Sequence, residues 1–123
     1  MRVSSLQMTG LLWAGVLAIG LAGCNGQAQA GSMLAGLQSE NPSVRIHACV
    51  QAANAADKRA LPLLVERLED TSGDVRFSAF MALKKITGQS LGYRWYDGEQ
   101  ARAEAVRRWR DWLRSNRPPP KPD

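Results

Sequence analysis

Hydrolysis by a side-chain nucleophile needs that nucleophile, a base and a group to orient the base, and the sequence holds a single histidine, His47. Cys49 stands two residues away, but residues two apart on a helix face different directions, which separates thiol from imidazole. A zinc site draws three or four ligands from a C-x-x-C, H-x-x-x-H or comparable cluster, and the chain has none. Glu66, Glu69, Asp70 and Asp74 gather acid around one turn. That is enough to attract a cation, yet the same residues serve as solvated helix ends. Gly88 and Gly92 lack the G-x-x-x-x-G-K-[ST] spacing of a phosphate loop. The pattern argues against an enzyme, a resident metal or a cofactor. His47 reads as a surface or rim residue, and Cys49, among Val44, Ala48, Val50 and Ala52, as small buried filler.

The remaining candidates are for recognition. Tyr93, Trp95 and Tyr96 crowd into a glycine-rich loop beside Arg94. They either pin that loop to the helices or form an exposed patch for a peptide or glycan. Trp109 and Trp112 fall on an apolar stripe and read as core, while Arg107, Arg108, Arg110 and Arg114 surround that stripe on other faces, either as a solvated surface or as a grip on an anionic partner. The chain carries 16 Lys and Arg against 11 Asp and Glu, a net charge of +5. The excess lies toward its C-terminal end. Such a bias attracts anionic surfaces at long range without choosing among them.

The first residues read as an address. Arg2 and a polar stretch precede the uncharged run of residues 11–22, the length of a signal-peptide core and short of the about 20 residues that span a bilayer. The run ends in Leu21-Ala22-Gly23-Cys24, which resembles the lipobox of bacterial lipoproteins. In that family the cysteine sulfur receives a diacylglyceryl group, cleavage falls just before it, and the new amino terminus is usually acylated. The resemblance puts those roles on Cys24 and implies a palmitate-type anchor that holds the domain to a bacterial cell membrane or outer membrane, outside the cytoplasm. Asn25, rather than aspartate, resembles the outer-membrane address of the enteric sorting rule. A thioether-linked Cys24 cannot form a disulfide, which leaves Cys49 alone. Residues 24–31 are small and polar and read as a flexible tether. Removing 1–23 from 123 residues leaves 100, room for one small domain.

The elements that position these groups are helical. Val75, Ala79, Ala82, Leu83 and Ile86 form one stripe on a helix that ends at Gly88, with Asp74 as N-cap or first-turn carboxylate. Leu61, Leu64, Val65 and Leu68 form a second stripe, with Pro62 tolerated in the first turn, and the two helices make an antiparallel hairpin. Residues 41–48 repeat 72–79 at an offset of 31, with Val, Arg and Ala coinciding. Such a period in a helical chain is the mark of a solenoid.

Pro62, Asp70 and the Val75-Arg76 pair resemble the HEAT repeats, especially a short bacterial form related to the phycobilin-lyase repeats. The resemblance covers residues 32–88. It implies an aspartate–arginine ladder between repeats, with structural roles for Asp70, Arg76 and Arg45. Ser39 and Gly31 stand where Asp70 and Pro62 stand one repeat later, so the first helix is expected to be short, over 33–38. The stripe of Ala105, Val106, Trp109, Trp112 and Leu113 fits a terminal cap better than a third repeat, and the proline-rich residues 117–123 form an extended tail. Ile86-Thr87-Gly88-Gln89 with Gly92-Tyr93 and a later Arg-Trp-x-x-Trp-Leu also looks like the C-terminal portion of exported bacterial HEAT-repeat proteins.

The expected fold is all-α: a short α-solenoid of HEAT-like hairpins over 32–116 with a C-terminal capping helix. The expected function is a membrane-anchored, non-catalytic scaffold that docks a protein partner, not nucleic acid, with candidate interaction residues Tyr93, Trp95, Tyr96, Arg107 and Arg110. The alternative is an enzyme accessory or cofactor handler related to bilin-lyase-type HEAT proteins. Two repeats are few, because solenoids need about three for stability; self-association or a partner is expected to cover an open end.

Overall fold

The structure, a computed structural model, describes residues 25–117, and every regular element among them is helical. The stretch read as a signal peptide, Cys24 and the prolines read as a tail lie outside the described residues. Five α-helices follow in order: α1 (Asn25–Gly36), α2 (Pro42–Ala55), α3 (Leu61–Arg67), α4 (Gly73–Thr87) and α5 (Glu99–Ser115). One 3-10 turn, Lys58–Ala60, leads into α3. None of these helices is long and apolar enough to cross a membrane.

The helix starts follow from capping chemistry. Asn41 is extended and its side-chain oxygen accepts from the Ser43 N–H at 2.9 Å, with Pro42 filling the first turn of α2, where no N–H is needed. Ser72 plays the same part for α4, accepting from the Val75 N–H. Asp74 is therefore the first-turn carboxylate and not the cap. Asp57 caps the 3-10 turn through the Arg59 N–H. At the C-terminal end of α4, Gly88 turns left-handed at φ 74° while its N–H closes on the Lys84 carbonyl.

α1 and α2 form the first hairpin, α3 and α4 the second, and α2 packs along α4 to stack the two. α5 lies on α3 and buries Ala105, Val106 and Trp109, with Trp112 and Leu113 packed at the edge of the core. This is a short α-solenoid closed by a capping helix. A single apolar core runs through it, from Met33 of α1 and Leu37 just beyond it through Leu64, Leu68 and Leu83 to Trp109.

One element differs from its sequence reading. α1 begins at Asn25 instead of residue 33, so most of the stretch read as a tether is helical. Small residues carry no apolar stripe that would announce a helix, but they let α1 come close to α2: a Cβ on Gly36 would sit 3.0 Å from the Ala48 Cβ. The helix is held by that approach and by the burial of Ala30, Met33 and, just past its end, Leu37.

Candidate functional site

The junction between the two hairpins is built on charge. Arg45 grips Asp70 with both arms of its guanidinium: Nη2 donates to Oδ1 at 2.9 Å and Nε lies 2.8 Å from Oδ2. Nη1 of the same arginine donates to the carbonyls of Ser39 and Glu40, at 2.7 and 2.9 Å. Arg76 repeats this one unit later, donating to the carbonyls of Asp70 and Thr71 at 2.8 and 3.3 Å. Ala101 occupies the position where a next aspartate would stand, and Arg76 Nε donates instead to the Trp95 carbonyl at 3.2 Å. The ladder thus ends on the aromatic loop.

Burial pushes the Asp70 carboxyl upward, but hydrogen bonds from Arg45 and the Ser72 N–H, with the charges of Arg45 and Arg67, outweigh it and hold the group below the usual carboxylate range. Sequence reasoning missed Arg67, whose Nη1 lies 3.5 Å from Asp70 Oδ2. Its signal is the i, i+3 spacing to Asp70.

The groups of a type that does chemistry are kept apart or occupied. His47 is exposed on α2, whereas Cys49 is fully buried and its thiol is pushed up to about 12, chiefly by desolvation. A neutral, sequestered thiol is a poor nucleophile. Of the acidic run, Asp70 belongs to the ladder, Glu69 holds Arg110 at 2.7 Å, and Glu66 lies 3.8 Å from Arg67. Among the described residues no group of three or more His, Cys, Asp or Glu is placed to hold a metal ion.

The loop between α4 and α5 separates the three aromatics that the sequence puts together. Tyr93 is buried, and its hydroxyl donates to the Leu68 carbonyl at 2.6 Å; desolvation raises its pKa to about 12. It is a core residue, so its place among the exposed interaction residues is corrected: the side chain has no surface to offer. Trp95 is half-buried, edge-on to Phe77 of α4 at 5.7 Å between ring centres, and Tyr96 stacks edge-on to Trp95 at 5.6 Å while remaining 65% exposed. The arginines divide too. Arg110 of α5 is tied to Glu69 in the turn after α3, and Arg107 is exposed with no partner among the described residues.

Phe77 leads to a surface that sequence reasoning did not find. Phe77 and Met81, one turn apart on α4, are 45% and 47% exposed, and Val50 of α2 is 48% exposed. Together with Ala53 they flank a groove of about 410 Å³ between α2 and α4, with Lys84 and Lys85 at its end. Exposed large apolar side chains gathered along one groove mark an interaction site. The available signal was Phe77 and Met81 themselves, apolar residues outside the Val75–Ile86 stripe, which make α4 apolar on more than one face.

The family model for HEAT repeats matches residues 32–111. The chain belongs to the HEAT-repeat family. No curated protein and no solved structure matches it. The HEAT match runs past residue 88, through the aromatic loop and most of α5, so the cap belongs to the repeat domain. HEAT repeats generally mediate protein–protein interaction, and in this HEAT domain the groove between α2 and α4 offers such contact an apolar floor.

Proposed function

We propose that this protein is a non-catalytic docking module, held by lipid at the bacterial cell envelope, that grips a protein partner in the groove between α2 and α4. The observation that carries the docking is the exposure of Phe77, Met81 and Val50 around one apolar groove. Membership of the HEAT-repeat family supports the same reading. Trp95 and Tyr96 extend the surface beyond Phe77, and Arg107 supplies an exposed cation on α5.

The anchoring rests on Leu21-Ala22-Gly23-Cys24. Acyl chains on Cys24 contribute about 0.8 kcal/mol for each buried CH₂, and two or more chains make residence on a membrane stable. Asn25 after the cysteine supports an outer-membrane address.

The test is affinity capture of the full chain from detergent-solubilised membranes, followed by mass spectrometry and repeated with Met81→Asp and Cys24→Ser. A partner recovered with the unaltered protein and lost with Met81→Asp supports docking in the groove. A partner retained by Met81→Asp removes the groove from the interaction. Loss of membrane attachment and of labelled palmitate in Cys24→Ser supports the anchor, and palmitate absent from the unaltered chain contradicts it.

A further inference from the structure

The groove has an electrical character as well as an apolar one. No carboxylate lines it, and α2 carries no acidic residue along its whole length. The one acidic residue of α4, Asp74, sits in its first turn, at the opposite end of the helix from Lys84 and Lys85. Most basic side chains of the domain are committed elsewhere. Arg45, Arg59, Arg67, Arg94 and Arg110 hold carboxylates, and Arg76 and Arg108 hold backbone carbonyls. Lys84 and Lys85 hold none among the described residues. Lys85 reaches across the groove to Asn54 Oδ1 at 3.3 Å, a neutral contact that leaves its charge uncompensated.

The dimensions suit a helix. From Phe77 to Lys85 the wall of α4 rises about 12 Å at about 1.5 Å per residue, or a little over two turns. Phe77 and Met81 stand one turn apart, the spacing at which a facing helix presents residues i and i+4. The groove is a cleft between two packed helices, a shape that receives a third helix and not a flat bilayer surface.

We propose, building on the docking function above, that the α2–α4 groove binds an amphipathic helix of a partner protein whose apolar stripe is bordered by Glu or Asp. The apolar stripe seats against Val50, Ala53, Phe77 and Met81, and the carboxylates meet Lys84 and Lys85. Burial of the stripe supplies affinity; the lysines set the partner's direction along the groove and exclude helices with basic borders.

The test uses the full chain in a non-ionic detergent, with detergent alone as the blank, and two fluorescent synthetic helical peptides that share one leucine stripe. One is bordered by glutamates, the other by lysines. Fluorescence anisotropy is expected to show the glutamate peptide binding about ten-fold more tightly, the size expected of two exposed ion pairs. Lys84→Glu with Lys85→Glu reverses the preference, and Met81→Asp abolishes binding of both peptides. All three positions are exposed, and far-UV circular dichroism checks that the variants fold.

Equal binding of the two peptides overturns the acidic partner while leaving the groove as a docking site. If neither peptide binds, the acidic-helix proposal fails, and partner capture that still depends on Met81 then keeps the broader docking function alive. Co-sedimentation with phosphatidylglycerol vesicles that the double lysine variant loses, with no peptide binding, assigns the lysines to lipid and overturns the proposal.

Discussion

Asp70 is the residue on which the junction of the two hairpins turns, because its carboxylate is almost out of water and is gripped by Arg45 from the neighbouring hairpin. Removing one partner of a buried ion pair leaves the other charge uncompensated, at a cost of about 3 kcal/mol. Asp70→Asn is therefore expected to lower stability at pH 7 by about that amount in urea unfolding. The pH dependence has a definite sign. The folded pKa lies below the unfolded one, so the contribution is complete above the unfolded value of about 4 and disappears as pH falls through the folded value. The difference between Asp70→Asn and the unaltered protein should close in acid, and a difference that persists unchanged to low pH would place its origin in packing. Tyr93 offers a separate check: its ionisation, followed by ultraviolet absorbance, is expected only at about pH 12, and Tyr93→Phe should abolish that step. The same substitution leaves the Leu68 carbonyl without its hydroxyl donor and is expected to cost about 1 kcal/mol.

Glycines test the helical elements in two different ways. Gly88 sits at φ 74°, and a Cβ there meets nothing within 4 Å. Gly88→Ala is therefore expected to cost about 1 kcal/mol through backbone strain alone. Gly36 has no such strain; a larger side chain there collides with Ala48, so Gly36→Leu should part α1 from α2. Hydrogen exchange would show this as faster exchange confined to α1, whereas uniform loss of protection would mean that α1 is integral to the whole fold. The stripes of α3, α4 and α5 and the repeat of Val-Arg were legible in the sequence because burial on one face imposes a 3.6-residue period on residue type. α1 was not, because its alanines, glycines and glutamines owe their helix to a neighbour. Direction was equally hidden in the loop: Tyr93 and Tyr96 are three residues apart without periodic structure, and only tertiary contacts send one inward and the other to solvent. The groove escaped notice for a related reason. Phe77 and Met81 look like core until the position of α2 is known.

For the described residues as a whole, two stacked hairpins and a cap leave an apolar cleft open between α2 and α4 and shut Cys49 away. A chain acylated at Cys24 has a single free thiol, Cys49, which is buried. Native protein should resist maleimide, and denatured protein should take up one label per chain; two labels per chain would contradict acylation of Cys24. The docking claim is tested most directly by photo-crosslinking in living cells, with a benzoylphenylalanine placed singly at Val50, Met81 or Glu104. Val50 and Met81 flank the groove, and Glu104 is exposed on α5. The expected result is one discrete protein adduct from Val50 and Met81 and none from Glu104. Absence of adducts from both groove positions, or an adduct only from Glu104, would contradict the groove as the docking surface.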